Sequence, residues 1–204
     1  MSLIENKIMS FDELPRRLLL DTCILNRLYD EGYYIWEGEL PDNLAEEEID
    51  AESRALRNIF AINERASFQF VVSPLSIAEV ANVQDFHDRE RRLHWVLDVL
   101  DHWLIMLDEV LDRKNQGGSV RHRFKLNSEL QQLESSLMGI QDFKRDPFDR
   151  LLLIQHKMAN CDSFLTIDED TIWRHRKELL SMGIHVMRPS EFWALLRPYS
   201  ALWR

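Results

Sequence analysis

Arg17-Leu18-Leu19-Leu20-Asp21-Thr22 and, far along the chain, Ser163-Phe164-Leu165-Thr166-Ile167-Asp168 are each a short apolar run that closes on an acid. Such a run without polar alternation fits a strand buried on both faces, as in a parallel sheet. Working outward from the first run, Ile24, Leu25, Leu28 and Tyr29 fall at helical spacing. Phe68-Gln69-Phe70-Val71-Val72 reads as a second strand, and Ser73-Pro74 as a helix start with serine as cap and proline in the first turn. That helix carries Leu75, Ala78 and Glu79. A helical pattern runs from about Asp85 to Leu100, and Trp103 to Leu107 reads as a third strand, with continuation of that helix as the alternative. Further helices are expected from about Asn127 to Met138 and from Asp146-Pro147 to about Asn160. Beyond Asp168, a helix containing Ile172, Trp173, Leu179 and Leu180 stops at Gly183. Ile184 to Met187 is a fifth strand, and Ser190 is expected to cap a last helix. Strands alternating with helices imply right-handed crossovers and a parallel sheet of about five strands between helical layers. One domain over 1–204 is expected, with its core at about 17–196 and a longer helical and basic-loop segment at about 81–145.

The composition narrows the class. Of 204 residues, 45% are hydrophobic and 29% charged, the balance of a soluble globular chain. No apolar run is long enough to span a membrane, and the N-terminus lacks the apolar core of an export signal. Cys23 and Cys161 sit among apolar neighbours and cannot build a disulfide framework, so reduced thiols in a cytoplasmic protein are expected. The net charge of −10 excludes nucleic-acid binding by bulk charge. A nucleic-acid ligand would need a local basic patch and a metal. The densest basic stretch contains Arg113, Lys114, Arg121, Arg123 and Lys125 around Gly117 and Gly118. It reads as a mobile surface loop or as a grip on a nucleic-acid backbone. The acids between Glu39 and Glu52 read as a solvated face or as the target of a basic partner arm.

In open parallel sheets the site lies at the carboxyl ends of the strands. Asp21 ends the first strand and Asp168 the fourth, with Asp170 just beyond. Asp149 falls in the first turn of a helix, and Glu79 lies on or beside the apolar stripe of the helix after the second strand. Carboxylates gathered in a partly dry cleft repel one another unless a cation sits among them. All-oxygen ligands favour Mg²⁺ or Mn²⁺, and such an ion suits phosphodiester hydrolysis. Each acid has a structural alternative. Asp21 and Asp168 are possible helix caps. Asp149 suits the N3 position behind a cap at Asp146, Asp170 suits a first turn, and Glu79 is a possible partner for an arginine.

With these motifs in order, the chain resembles a PIN domain, the metal-dependent nuclease family that includes the ribonuclease toxins of bacterial toxin–antitoxin pairs. The matching pieces are Leu18 to Thr22, Ser73 to Val80, Asp149 to Ala159 and Leu165 to Asp170, and the order acid–Glu–Asp–Asp is the family's order. The resemblance implies a three-layer α/β/α sandwich and an endoribonuclease that hydrolyses RNA to 5′-phosphate and 3′-hydroxyl ends with one or two Mg²⁺ or Mn²⁺ ions. It carries Asp21, Glu79, Asp149 and Asp168 over as the acidic, metal-binding set and Asp170 as an auxiliary metal ligand. Thr22 and Thr166 match the small hydroxyl residues beside the site. Asp21 and Asp149 are then the main ligands, Glu79 binds directly or through water, and Asp168 holds a second ion or orients water. The family also implies a possible antitoxin partner and a possible homodimer. Cys23 stands where many relatives have Asn or Ser, and the interval of 70 residues from Glu79 to Asp149 exceeds that of compact toxins.

Other classes fit less well. An aspartyl-nucleophile phosphatase needs a second Asp where Cys23 stands, and a Rossmann site needs glycines that Asp21-Thr22-Cys23-Ile24 lacks. There is no nucleophile elbow and no Cys–His zinc spacing, and His156 reads as a core or interface residue. The tail aromatics Phe192, Trp193, Tyr199 and Trp203 suit either the core or an interface. The rival function is a PIN-like scaffold without activity that binds RNA or protein.

Overall fold

The computed structural model describes residues 10–40, 49–102, 104–107 and 128–203. Five strands, β1 (Arg17–Leu20), β2 (Gln69–Val72), β3 (Leu104–Met106), β4 (Ser163–Leu165) and β5 (Val186–Met187), form a sheet of order 3-2-1-4-5. All its pairings are parallel. The central strands are apolar at successive positions because each face of the sheet is covered. Leu18, Leu20, Phe70, Val72, Leu104, Leu165 and Met187 point to one core, and Leu19, Val71, Phe164 and Val186 to the other. Helices on both faces complete the expected α/β/α sandwich.

The first core is closed by α1 (Thr22–Asp30), α2 (Ala51–Ala66), α4 (Phe86–His102) and α9 (Pro189–Leu196), through Ile24, Leu25, Leu28, Leu56, Ile59, Phe60, Val96 and Phe192. The second is closed by α5 (Ser128–Met138), α6 (Gln141–Arg145), α7 (Pro147–Met158) and α8 (Arg176–Ser181), through Leu133, Leu137, Phe143, Leu152, Leu153 and Leu179. The remaining helix, α3 (Pro74–Val80), starts as read, with Ser73 Oγ accepting from the Leu75 amide at 2.9 Å and Pro74 at N1. Arg92 fixes α4 against α1, donating to Asn26 at 3.1 Å and Asp30 at 3.2 Å while lying 4.4 Å from the Tyr29 ring centre.

Residues 104–106 form the third strand as read, and α4 stops just before them. Other expectations change. The helix at 51–66 is an element the sequence reading passed over. Asp50 caps it, accepting from the Glu52 and Ser53 amides at 2.8 and 2.9 Å. Glu52, read as a solvated acid, accepts from the Ser190 amide at 2.8 Å and hydroxyl at 2.7 Å. Ser190 is therefore not the cap of the last helix. That helix starts after Arg188 with Pro189 at N1, and Ser190 is a first-turn residue whose orphan donor Glu52 satisfies. Phe192, Trp193 and Tyr199 pack on the first core. His156 is buried as a core residue. Cys23 is half-buried and Cys161 buried. The basic residues Arg113, Lys114, Arg121, Arg123 and Lys125, and acids 42 and 46–48, lie outside the described residues. No described helix is long and apolar enough to cross a membrane.

Candidate functional site

The strand order reverses between β1 and β4, whose last residues, Leu20 and Leu165, are paired. The crevice beyond such a reversal is where open α/β sheets place their ligands. The Asp21 amide extends the pairing by donating to the Leu165 carbonyl at 3.0 Å, so Asp21 and Thr166 leave the sheet side by side. Thr166 Oγ1 then donates to Asp21 Oδ2 at 2.5 Å. The same carboxylate caps α1, accepting from the Thr22 amide at 2.7 Å, and takes the Cys23 thiol at 3.1 Å. Asp21 is 5% exposed. Burial pushes its carboxyl up to about 6 despite these three donors, and the charge of Asp168 adds to the rise.

Asp168 follows Thr166 by two residues, and its amide donates to Thr166 Oγ1 at 2.9 Å. Its carboxylate accepts from the amides of Asp170 at 2.9 Å, Thr171 at 3.4 Å and Ile172 at 3.3 Å, and from the Thr171 hydroxyl. Asp168 thus holds a turn and does not cap a helix: residues 169–175 are turn, and the helix expected to contain Ile172 and Trp173 starts only at Arg176, behind His175. Asp170 is exposed, and its carboxylate takes no hydrogen bond among the described residues.

Asp149 stands at N3 of α7, behind the cap Asp146, whose Oδ1 accepts from the amides of Phe148 at 2.9 Å and Asp149 at 3.2 Å. Burial pushes Asp149 up to about 7, with the charges of Asp21, Asp146 and Asp168 adding and a hydrogen bond with Thr171 opposing. Thr171, whose hydroxyl donates to Asp168, thus lies near Asp149 as well. Glu79 reaches the cluster through Thr22, whose hydroxyl donates to Glu79 Oε2 at 2.7 Å. Its helix position differs from the expectation: Ser76 and Val80 are the buried residues of α3, and Ala78 and Glu79 are exposed.

Glu79, Asp21 and Asp168 are therefore joined in one hydrogen-bonded chain through Thr22 and Thr166, and Asp149 lies beside it, near enough for the charges of Asp21 and Asp168 to act on it. Thr22 and Thr166 occupy the places foreseen for them. Thr171 and the Cys23 thiol are contributions the sequence reading missed. A hydroxyl three residues after an Asp that holds a turn, and a thiol two residues after a capping Asp, fall within reach of the carboxylate, and that spacing was the available signal. Among the described residues none of Asp21, Glu79, Asp149 and Asp168 forms an ion pair with lysine or arginine. Their oxygens are turned onto hydroxyls and amides, and among the described residues no group of three or more His, Cys, Asp or Glu side chains is arranged to hold an ion as it stands. The donor chemistry nevertheless fits a hard divalent cation: carboxylate and hydroxyl oxygens, two acids whose charge is disfavoured, and no ion pair to a basic side chain among the described residues.

Comparison with family models, with curated proteins and with solved structures finds no match.

Proposed function

We propose that this chain is a metal-dependent endoribonuclease of the PIN type. The observation that carries the reading is the burial of the Asp21 and Asp149 carboxyls at the crevice between β1 and β4, with neighbouring acids adding to the cost of their charge and no ion pair to lysine or arginine among the described residues. Asp21 and Asp149 would hold Mg²⁺ or Mn²⁺, with Glu79 and Asp168 beside them. When bound, the ion supplies charge neutralisation for the acids and the scissile phosphate and lowers the pKa of water for in-line attack. The chain's own work is placement. Thr166 and Thr22 hold Asp21 and Glu79 in orientation, and Thr171 holds Asp168.

The second reading, a scaffold that binds RNA or protein without turnover, is favoured by one observation: the acids lack a ready-made ligand arrangement among the described residues. Cleavage of single-stranded RNA in Mn²⁺ separates the two. Asp149→Asn should lower turnover by a factor of about a thousand or more. The fold should survive, since a carboxylate in the first turn of a helix is worth only about 0.3–1 kcal/mol. Wild-type protein without Mn²⁺-dependent cleavage supports the binding module, and unchanged cleavage by Asp149→Asn removes Asp149 from the site.

A further inference from the structure

Beside the acids lies an open cleft of about 310 Å³, lined by Ala78, Glu79, Ala81, Asn82, Arg89 and Phe148. Its volume is at the lower end of the range of about 300–1,000 Å³ usual for small-ligand sites. Its two ends belong to the elements that carry the acids. Glu79 is bonded to Thr22 on the Asp21 side, and Phe148 immediately precedes Asp149. Phe148 is 43% exposed although it sits at N2 of a helix whose inner face fills the second core. Its ring is thus presented to the cleft rather than absorbed by packing. Arg89 is exposed, with Nε and Nη2 donating to the Val83 carbonyl at 3.2 and 2.7 Å. Its guanidinium forms no ion pair among the described residues, in contrast to Arg91 and Arg92 on the same helix.

An aromatic face, an uncompensated guanidinium and a carboxamide in one groove are the groups that take a base, a phosphate and a base edge. We infer that this cleft binds one nucleotide of single-stranded RNA next to the scissile phosphate, with its base stacked on Phe148, its phosphate on Arg89 and its base edge on Asn82. The inference rests on the nuclease reading and adds a substrate subsite to it. It also supplies a cation at the mouth of an acidic site in a chain of net charge −10.

The test uses the full chain and a fluorescent mixed-sequence hexaribonucleotide. Binding is read by polarisation in EDTA, and cleavage is read separately in Mn²⁺. Phe148→Ala should weaken binding about tenfold, as expected for loss of one stacked base, and Phe148→Trp should restore it. Arg89→Gln should weaken binding severalfold and lower the slope of log K against log salt by about 0.7, one phosphate contact on a single strand. If both Phe148→Ala and Arg89→Gln bind within twofold of wild type, the cleft assignment is wrong. If the wild type still cleaves RNA in that case, the nuclease reading stands without it. If the wild type neither binds nor cleaves RNA, both fall together.

Discussion

A carboxylate that is 5% exposed, accepts three hydrogen bonds and faces another acid is costly to ionise, and Asp21 is in that position. Asp21→Asn removes the charge and keeps an acceptor for Thr22 or Thr166. The account predicts that it abolishes Mn²⁺-dependent cleavage while raising the Tm of the metal-free protein at pH 8. The cap itself is kept by the substitution, since Asn and Asp cap helices about equally well, so the rise in Tm reports the removal of the buried charge. The pH dependence follows with a definite sign. Asp21 and Asp149 rise from 3.8 to about 6 and about 7 in the folded chain, so the stability they contribute is full below 3.8 and is lost as pH rises through 6 and 7. Metal-free melting temperatures should therefore fall across that window, and Mn²⁺ should raise the Tm more at pH 8 than at pH 5. His156 acts oppositely. It is 1% exposed, neither ring nitrogen finds a partner among the described residues, and burial holds its pKa down at about 4 against 6.5. Its contribution is present above 6.5 and is lost as pH falls through 4. His156→Leu should stabilise by about 1 kcal/mol and flatten the acid side of the stability profile in thermal melts. At this scale Asp21 and Asp168 were legible because strand ends announce themselves, Glu79 and Asp149 from their helix positions, and Thr22 and Thr166 only through the resemblance. Thr171 was passed over because the residues after Asp168 were read as helix, whereas they form the turn in which its hydroxyl meets Asp168.

At the scale of elements, Ser73 does two jobs. It caps α3 through the Leu75 amide and donates to Gln155 Oε1 at 2.7 Å, joining the start of α3 to α7. These two helices carry Glu79 and Asp149. Ser73→Ala should cost about 1–2 kcal/mol, read as a lower urea midpoint at unchanged m-value. A fall in cleavage beyond the loss of folded protein is expected too, since the spacing of the acids depends on this joint. The strands were readable because burial on both faces writes continuous apolar runs, as in Leu18-Leu19-Leu20 and Phe70-Val71-Val72. The helix at 51–66 was obscured by the acidic stretch before it, although Asp50 followed by Ala55, Leu56, Ile59 and Phe60 carries both its cap and its inner face. Ser190 misled for a related reason. A serine near a helix start satisfies local capping rules, but here Pro189 begins the helix and a distant acid, Glu52, holds Ser190.

Across the whole molecule, the topology turns scattered acids into a site. A 3-2-1-4-5 parallel sheet sets the ends of β1 and β4 side by side, α1 and α7 start near that edge, and Thr22 brings in Glu79 from α3. The sequence shows the acids in order but not their distances, which come only from the crossovers. The convergence nevertheless follows from the rule that parallel sheets present their strand ends to ligands. The most direct test of the central claim is a calorimetric titration of the metal-free protein with Mn²⁺ at pH 8, repeated in buffers of different ionisation enthalpy. The account predicts saturable binding with proton release in the wild type, and loss of that binding in both Asp21→Asn and Asp149→Asn. No binding by the folded wild type at millimolar Mn²⁺, or equal binding by the two variants, contradicts it.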